Sequence, residues 1–439
     1  MASTTTEQPP KSSIIVAAVE GGGTSFVVAV ARSSLSTSFS SSSTETVTQP
    51  EILHREEIDS SHDNPSKTLE ECAKFFQKHK PNDCYGYDAL GVATFGPVGL
   101  NKSNMKTYGH ILSTSPKKSW RNVDILTPLI AACQGSNRNS KPLAVDIETD
   151  VNAPALAEYM LAKQQEQQNA NKDSDEKKNI SSVAYVTVGT GIGVGLVVNG
   201  QPVHGRMHPE GGHVHVQQLE NDPFKGYSWG DKCPYRGIGT VEGIASSVAL
   251  TERLQADFLK MKHSSNDNDD ASTSTTKIQQ QSDIVSRGCL VDLDDDHEVW
   301  DHAANAIANL CATLLLAVSI EKIVLGGGIM KRNGLLRKVQ SRTLDIVNGY
   351  IELPPIDTMS SLIATSSYGI TNSGLIGSII VAQNAYEKQH TQIESRTNSD
   401  TSDGRLSPFI SGFIHGVVVS AMGLGIGLMT ITGRPFARR

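Results

Sequence analysis

Residues 183–213 read VAYVTVGTGIGVGLVVNGQPVHGRMHPEGGH. The run opens with continuous apolar residues, the pattern of a buried strand, and bends at Gly189-Thr190-Gly191. A second strand is expected over Val194 to Val198. Asn199-Gly200 then supplies the dipeptide of a tight hairpin turn. Glycines at the first bend leave backbone N–H groups open to close approach by a phosphate, and the Thr190 hydroxyl adds one more donor. Glycine-rich hairpins also occur without any ligand, so this turn alone decides nothing.

Working outward, the same arrangement recurs twice, each time directly after an apolar run. Ile14 to Val19 leads into Glu20-Gly21-Gly22-Gly23-Thr24-Ser25, and Ile323 to Leu325 leads into Gly326-Gly327-Gly328. Three glycine turns at strand ends point to one nucleotide cleft. The chain resembles the ROK family of sugar kinases, and within it the bacterial-type fructokinases. That resemblance implies an α/β fold of two actin-like (ribonuclease H-like) domains with a cleft between them. It spans Ile14 to about Tyr386.

Composition agrees. At 439 residues and 38% hydrophobic content the chain can build two sizeable cores. A net charge of −7 and the lack of a basic stripe argue against a nucleic-acid partner. The six cysteines have no CxxC spacing and read as reduced thiols of a cytoplasmic kinase domain.

Residues 1–13 are polar and read as a disordered N-terminus. Family repressors carry a DNA-binding helix-turn-helix ahead of the first strand, for which this segment is too short. The expected partition is an N-terminal domain over 14–150 and a C-terminal domain over 151–386. Polar insertions are expected near 162–181 and 262–283, and a linker over 387–407. Helical periodicity marks Leu69 to Lys80, Val241 to Met261 and Val299 to Ser319.

In the resemblance, Glu20, Gly22, Gly23 and Thr24 match the first phosphate loop, in which an acidic residue precedes Gly-Gly-Thr. Ser25 departs, standing where the family commonly has Lys or Asn, so this loop offers no cation. Gly189, Thr190 and Gly191 form the second phosphate turn. Gly326, Gly327 and Gly328 are implied to hold the adenosine and α-phosphate side of ATP, at the start of the next helix.

The strand Ala89 to Thr94 ends in Phe95-Gly96-Pro97. GVATFGPVGLN, followed by YGHILSTSPKKSWRNVDI, is similar to the fructokinase branch, where this loop walls the sugar pocket; Gly96 and Pro97 are therefore candidates to touch sugar. By itself, Gly-Pro is an ordinary turn. LAVDIETDVNAPALAE places Asp150 between a strand end and a helix start, where an Asp is commonly a cap. The resemblance makes it the catalytic base, with Asn152 and Glu158 completing the pattern and Asn152 a candidate sugar contact. A sugar hydroxyl is a poor nucleophile at neutral pH, and a positioned carboxylate relieves that.

Glu210-Gly211-Gly212-His213 is similar to the family's Glu-x-Gly-His, in which the Glu binds sugar hydroxyls; Glu210 and His213 are both candidate sugar contacts. Glu242 resembles a second sugar-contacting glutamate, although an acid at a helix start also suits the helix dipole. The fructokinases of this branch carry a structural zinc. Here only His213 and Cys233 remain of its four ligands, because Arg236 replaces a histidine and no second cysteine follows before Glu242. A family-type zinc is not expected.

The function implied is transfer of the terminal phosphoryl group of ATP, with Mg²⁺, to a hexose. D-fructose at its 6-hydroxyl is favoured; glucose, mannose or an N-acetylated amino sugar is the alternative, and a silent sugar sensor a third reading. The partners are the sugar and ATP, with a homodimer left open. Finally, Phe409 to Thr432, FISGFIHGVVVSAMGLGIGLMTIT, lacks Asp, Glu, Lys and Arg. As a helix it would be about 36 Å long, enough to cross a bilayer core of roughly 30 Å. It is a candidate transmembrane tail, to be set against an apolar tail packed on the kinase.

Overall fold

The computed structural model describes residues 13–35, 49–60, 63–81, 85–136, 142–170, 179–227, 229, 235–265, 290–368 and 373–402. The first sheet holds β1 (Ser13–Gly21), β2 (Ser25–Ser34), β3 (Glu51–Asp59), β4 (Ala89–Thr94) and β5 (Ala144–Thr149) in the order β3-β2-β1-β4-β5. Strands β1 to β3 form an antiparallel meander, and β4 and β5 extend it in parallel. The second sheet repeats this plan. It holds β6 (Ser182–Val188), β7 (Ile192–Val198), β8 (Gln201–Pro202), β9 (Lys322–Gly326) and β10 (Ile363–Thr365), ordered β10-β9-β6-β7-β8. Again the first three strands are antiparallel and the last two parallel. Two sheets of one topology make the actin-like architecture.

Alternation along the strands sorts side chains onto two faces, and both faces of each sheet are covered. Ala17, Val19, Val28, Val30, Leu90 and Val92 face α1 (Pro65–Lys78) and α2 (Leu126–Cys133), packing with Phe76, Leu129 and Trp120. Helix α1 begins where Asn64 accepts the Lys67 amide and Pro65 follows, a favoured start because proline lacks an N–H to satisfy. On the second sheet Val186, Val188, Val194 and Leu325 face α4 (Val241–Ala245), α5 (Ser247–Ser265), α6 (Val299–Val318) and α7 (Leu335–Val347). By length and composition α6 could cross a membrane, but 61% of it is buried in this core.

The opposite faces of the two sheets share a third core made by α3 (Asn152–Ala170) and α8 (Ser373–Ser402). Here the helices exchange lobes. Helix α3 follows β5 of the first sheet yet packs on β6 and β7 of the second. Helix α8 follows β10 of the second sheet yet packs on the first, where the Gln383 side chain accepts from the Ser33 hydroxyl. The approach is close. A Cβ on Gly195 in β7 would stand 1.9 Å from the Val151 carbonyl oxygen, and one on Gly377 would stand 2.2 Å from that of Ala153. Only glycine lets these backbones touch.

Some expectations change. Helix Val241 to Met261 is interrupted at Ser246, whose backbone is extended, so two helices form there. Helix α3 continues to Ala170, so the insertion near 162–181 begins as helix; α5 likewise runs to Ser265, and the rest of 262–283 lies outside the described residues. The expected linker over 387–407 is helical as far as Ser402, as an extension of α8. In a partition at residue 150, α8 falls with the C-terminal part although it covers the N-terminal sheet. The candidate span Phe409 to Thr432 lies outside the described residues.

Candidate active site

The carboxyl ends of the parallel strands in each lobe carry the loops that make the site, the usual place for ligands on such sheets. At the end of β5 the Asp150 amide donates to the Thr94 carbonyl at 2.9 Å, and the Phe95 amide to that of Gly21 at 2.8 Å. These bonds lock the ends of β1, β4 and β5 together. Asp150 is half-buried, and loss of water pushes its carboxyl up to about 7.

Glu20, at the end of β1, behaves alike. Burial first, then the Asp150 charge, raise its carboxyl to about 7, against the opposing pull of Arg55 and a hydrogen bond from the Leu375 amide at the start of α8. Its Oε2 is buried and has no hydrogen-bond partner. From the other lobe, Glu210 is also raised to about 7, by desolvation, then Glu242, then Asp150, while 37% of its side chain still reaches solvent. Three carboxyls from two lobes therefore share one field.

The glycine turns lie where the hairpins bend. In the first, the Gly22 amide donates to the Ser25 carbonyl at 2.8 Å, and Gly23 and Thr24 are exposed. In the second, the Gly189 amide donates to the Gly191 carbonyl at 2.9 Å, and Thr190 is exposed. The third adjoins the second, because Thr187 of β6 pairs with Gly326 of β9. Gly327 has φ 90°, and a Cβ there would stand 2.3 Å from the Val188 carbonyl oxygen. A Cβ on Gly23, Gly189 or Gly328 would meet nothing within 4 Å, so each turn leaves room beside its backbone for a ligand. Gly328 leads into a single 3₁₀ turn, Ile329–Lys331, and α7 starts later at Leu335; the third turn thus does not sit directly at an α-helix start.

The Gly96-Pro97 loop meets His208 across the cleft through Gly96 and Val98. The Val98 amide donates to His208 Nε2 at 3.3 Å, and a Cβ on Gly96 would lie 3.1 Å from that ring. His208 Nδ1 faces the Pro209 carbonyl at 3.3 Å and Glu210 at 3.5 Å. With Nε2 accepting, Nδ1 carries the proton, and burial lowers the pKa so that the ring stays neutral. This histidine bridges the lobes, a role its sequence context did not signal.

Two residues expected at the sugar are instead tied into the scaffold. Asn152 is fully buried; its Oδ1 accepts the Leu196 amide at 3.1 Å and its Nδ2 donates to Glu148 at 3.2 Å. Glu242 is 8% exposed, with Oε2 accepting the Ile192 amide at 2.8 Å and Oε1 accepting Trp229 Nε1 at 2.7 Å. It braces the second glycine turn. Glu158 is buried in α3 and accepts from the Ser366 hydroxyl, again a structural use.

His213 stacks on Tyr235 at 4.6 Å between ring centroids and lies 3.8 Å from Glu210 Oε2. Its Nδ1 is buried with no hydrogen-bond partner, 3.9 Å from Glu242 Oε1. Cys233 lies outside the described residues. Among the described residues no three His, Cys, Asp or Glu side chains are grouped to hold a metal ion.

Lys117, unremarked in the sequence, reaches the first turn. Its Nζ donates to the Gly23 carbonyl at 2.8 Å and the Ser60 carbonyl at 3.3 Å.

Two lobes of one topology, glycine turns at matching strand ends and a carboxylate of raised pKa between them define an ATP-dependent hexose kinase. The chain belongs to the ROK family, whose model matches residues 16–385. It is 30% identical to the fructokinase of Zymomonas mobilis over 289 residues, covering 66% of this chain and 76% of that one. It is 26% identical to an N-acetylmannosamine kinase of Vibrio vulnificus over 67% of this chain and 82% of the relative. The fold is that of the ROK hexokinase of Thermus thermophilus, with a TM-score of 0.54 at 18% identity, covering 85% of this chain and all of that one.

Proposed function

We propose that the chain phosphorylates D-fructose at its 6-hydroxyl, with Asp150 as general base. The observation that carries this is the Asp150 carboxyl, fixed at the end of β5 and raised to about 7 beside Glu210. A base with a pKa near the working pH combines a sizeable ionised fraction with real proton affinity. Asp150 accepts the hydroxyl proton as the sugar oxygen bonds to the terminal phosphorus of ATP and the bond to the ADP oxygen breaks. Glu210 accepts hydrogen bonds from sugar hydroxyls, and the Gly96-Pro97 loop closes the far wall. The glycine turns at residues 22–24 and 189–191, closed by the Gly22 and Gly189 amides, orient the phosphates, and Gly326 to Gly328 pack the nucleoside end.

A magnesium ion, when bound with ATP, offsets phosphate charge during transfer. Glu20 fits it: one oxygen is orphaned and Asp150 repels the charged form, a strain that a divalent cation relieves. The likeness to fructokinases favours fructose, and the likeness to an N-acetylmannosamine kinase keeps an amino sugar as the second substrate class. Coupled measurement of ADP release over fructose, glucose, mannose and N-acetylmannosamine is the test. Fructose is expected to show the highest kcat/KM. A different hexose at the top overturns the substrate, and no hexose-dependent ADP release overturns the kinase.

A further inference from the structure

Position 25 offers no cation to the first phosphate turn, because Ser25 sits at the start of β2 with its carbonyl closing the turn against the Gly22 amide. The turn nevertheless has an ammonium beside it. Lys117 belongs to the loop after β4, 94 residues away from Gly23 in sequence, and arrives over the carboxyl edge of β1 and β4. Two of its three N–H groups are used by the Gly23 and Ser60 carbonyls. The stem is held against aromatic faces, with Nζ 5.2 Å from the Phe95 ring centroid and 5.1 Å from that of Trp120.

Those rings form a fixed platform. Trp120 is fully buried, stacks on Phe26 at 5.1 Å and meets Phe95 edge-on at 5.3 Å. Among the described residues Lys117 makes no ion pair within 4.0 Å. Asp63 and Asp59 are near enough to favour its charge, yet desolvation is the larger influence and lowers its pKa. An ammonium that is partly desolvated, held by carbonyls and rings and short of a counter-charge is arranged to receive an anion. The open space is on the same turn, beside Gly23.

We propose that Lys117 is the cation that binds the terminal phosphate of ATP at the β1–β2 turn, supplying from another loop what position 25 lacks. This rests on the kinase reading for the identity of the anion. The aromatic platform holds the ammonium in place before the nucleotide arrives, so little side-chain freedom is lost on binding.

Calorimetric titration of Mg·ATP and of adenosine into the wild type, Lys117→Met and Lys117→Arg tests it without need of a sugar. Lys117→Met is expected to weaken Mg·ATP by about tenfold or more, the scale of one charged hydrogen bond. Adenosine affinity stays within about twofold, and Lys117→Arg recovers part of the loss. Mg·ATP affinity of Lys117→Met within about twofold of wild type overturns the assignment. Equal losses for adenosine and Mg·ATP with a lowered Tm also overturn it, and make Lys117 a clamp of the turn instead. Because binding is read directly, a wild type that binds ATP but phosphorylates no hexose defeats the kinase reading and leaves this one standing.

Discussion

The β1–β2 turn and the β6–β7 turn occupy the same place in two sheets of the same strand order, yet they are surrounded by opposite chemistry. Beside the first lie the unpartnered oxygen of Glu20, the raised carboxyl of Asp150 and the ammonium of Lys117. Beside the second, the carboxylate of Glu242 is satisfied on both oxygens by the Ile192 amide and Trp229. One copy of the topology keeps its charges in reserve for ligands, while the other has spent its charge on holding the turn in shape. On the proposed function, proton transfer and phosphate capture fall to the N-terminal lobe and passive backbone binding to the C-terminal one. Duplicated topology thus fixes where loops go and leaves their chemistry free to diverge.

The comparison is most exposed at Asp150. Asp150→Asn is expected to lower kcat by on the order of 10²- to 10⁴-fold with sugar affinity within about threefold. Steady-state kinetics with a sugar titration measures both. A kcat within tenfold of wild type would remove the base and with it the division of labour between the turns. A smaller effect is expected at Glu242, where Gln keeps one acceptor but sets an NH₂ group against a backbone or indole N–H. The loss is about 2 kcal/mol of stability, as for other hydrogen bonds to a charged group, read by denaturant unfolding. Removing the Glu242 charge also lets the Glu210 carboxyl relax downward, so the acid limb of the pH profile moves to lower pH. If stability is unchanged and only sugar KM rises, Glu242 is a substrate contact and the two turns share their chemistry.

The smallest effect concerns pH and the ligand-free protein. Glu20 and Asp150 each hold a proton more tightly folded than unfolded, since their folded values of about 7 lie above the ordinary carboxylate range. Their contribution to stability is therefore full below about pH 4 and is lost as pH rises through about 7. A gradual fall in Tm between pH 5 and 8 is expected, shallower in Asp150→Asn, which should melt above wild type at pH 8. A Tm difference between the two proteins that does not change with pH would show that Asp150 ionises as easily folded as unfolded.

The site was legible in the sequence where it is backbone and obscure where it is tertiary. Strands β1, β4, β6 and β9 are covered on both faces, so they appear as unbroken apolar runs, and each ends in a turn that marks itself with glycine. Strand β3, EILHREEID, is an edge strand with most residues exposed, and its charges conceal it. Asn152 and Glu242 stand in the expected order along the chain, but order says nothing of what a side chain touches; their polar atoms serve Leu196, Glu148, Ile192 and Trp229. Lys117 was invisible for the converse reason. Its partner Gly23 is too far away in sequence for any motif to join them.

The exchange of helices between the lobes bears on how this chain can be divided. A fragment ending near residue 150 would contain every strand of the first sheet, and it would still lack the helix that covers Ala18, Ala29, Ala89 and Ala93. The remaining fragment would carry α8 with its apolar face turned toward a sheet that is missing. Neither piece is a self-sufficient unit, so a protease cut in the loop between β5 and α3 would yield halves that are stable only as a complementing pair. The same reciprocity couples synthesis to order: the first sheet emerges from the ribosome long before its cover, and must wait for α8 to be sealed.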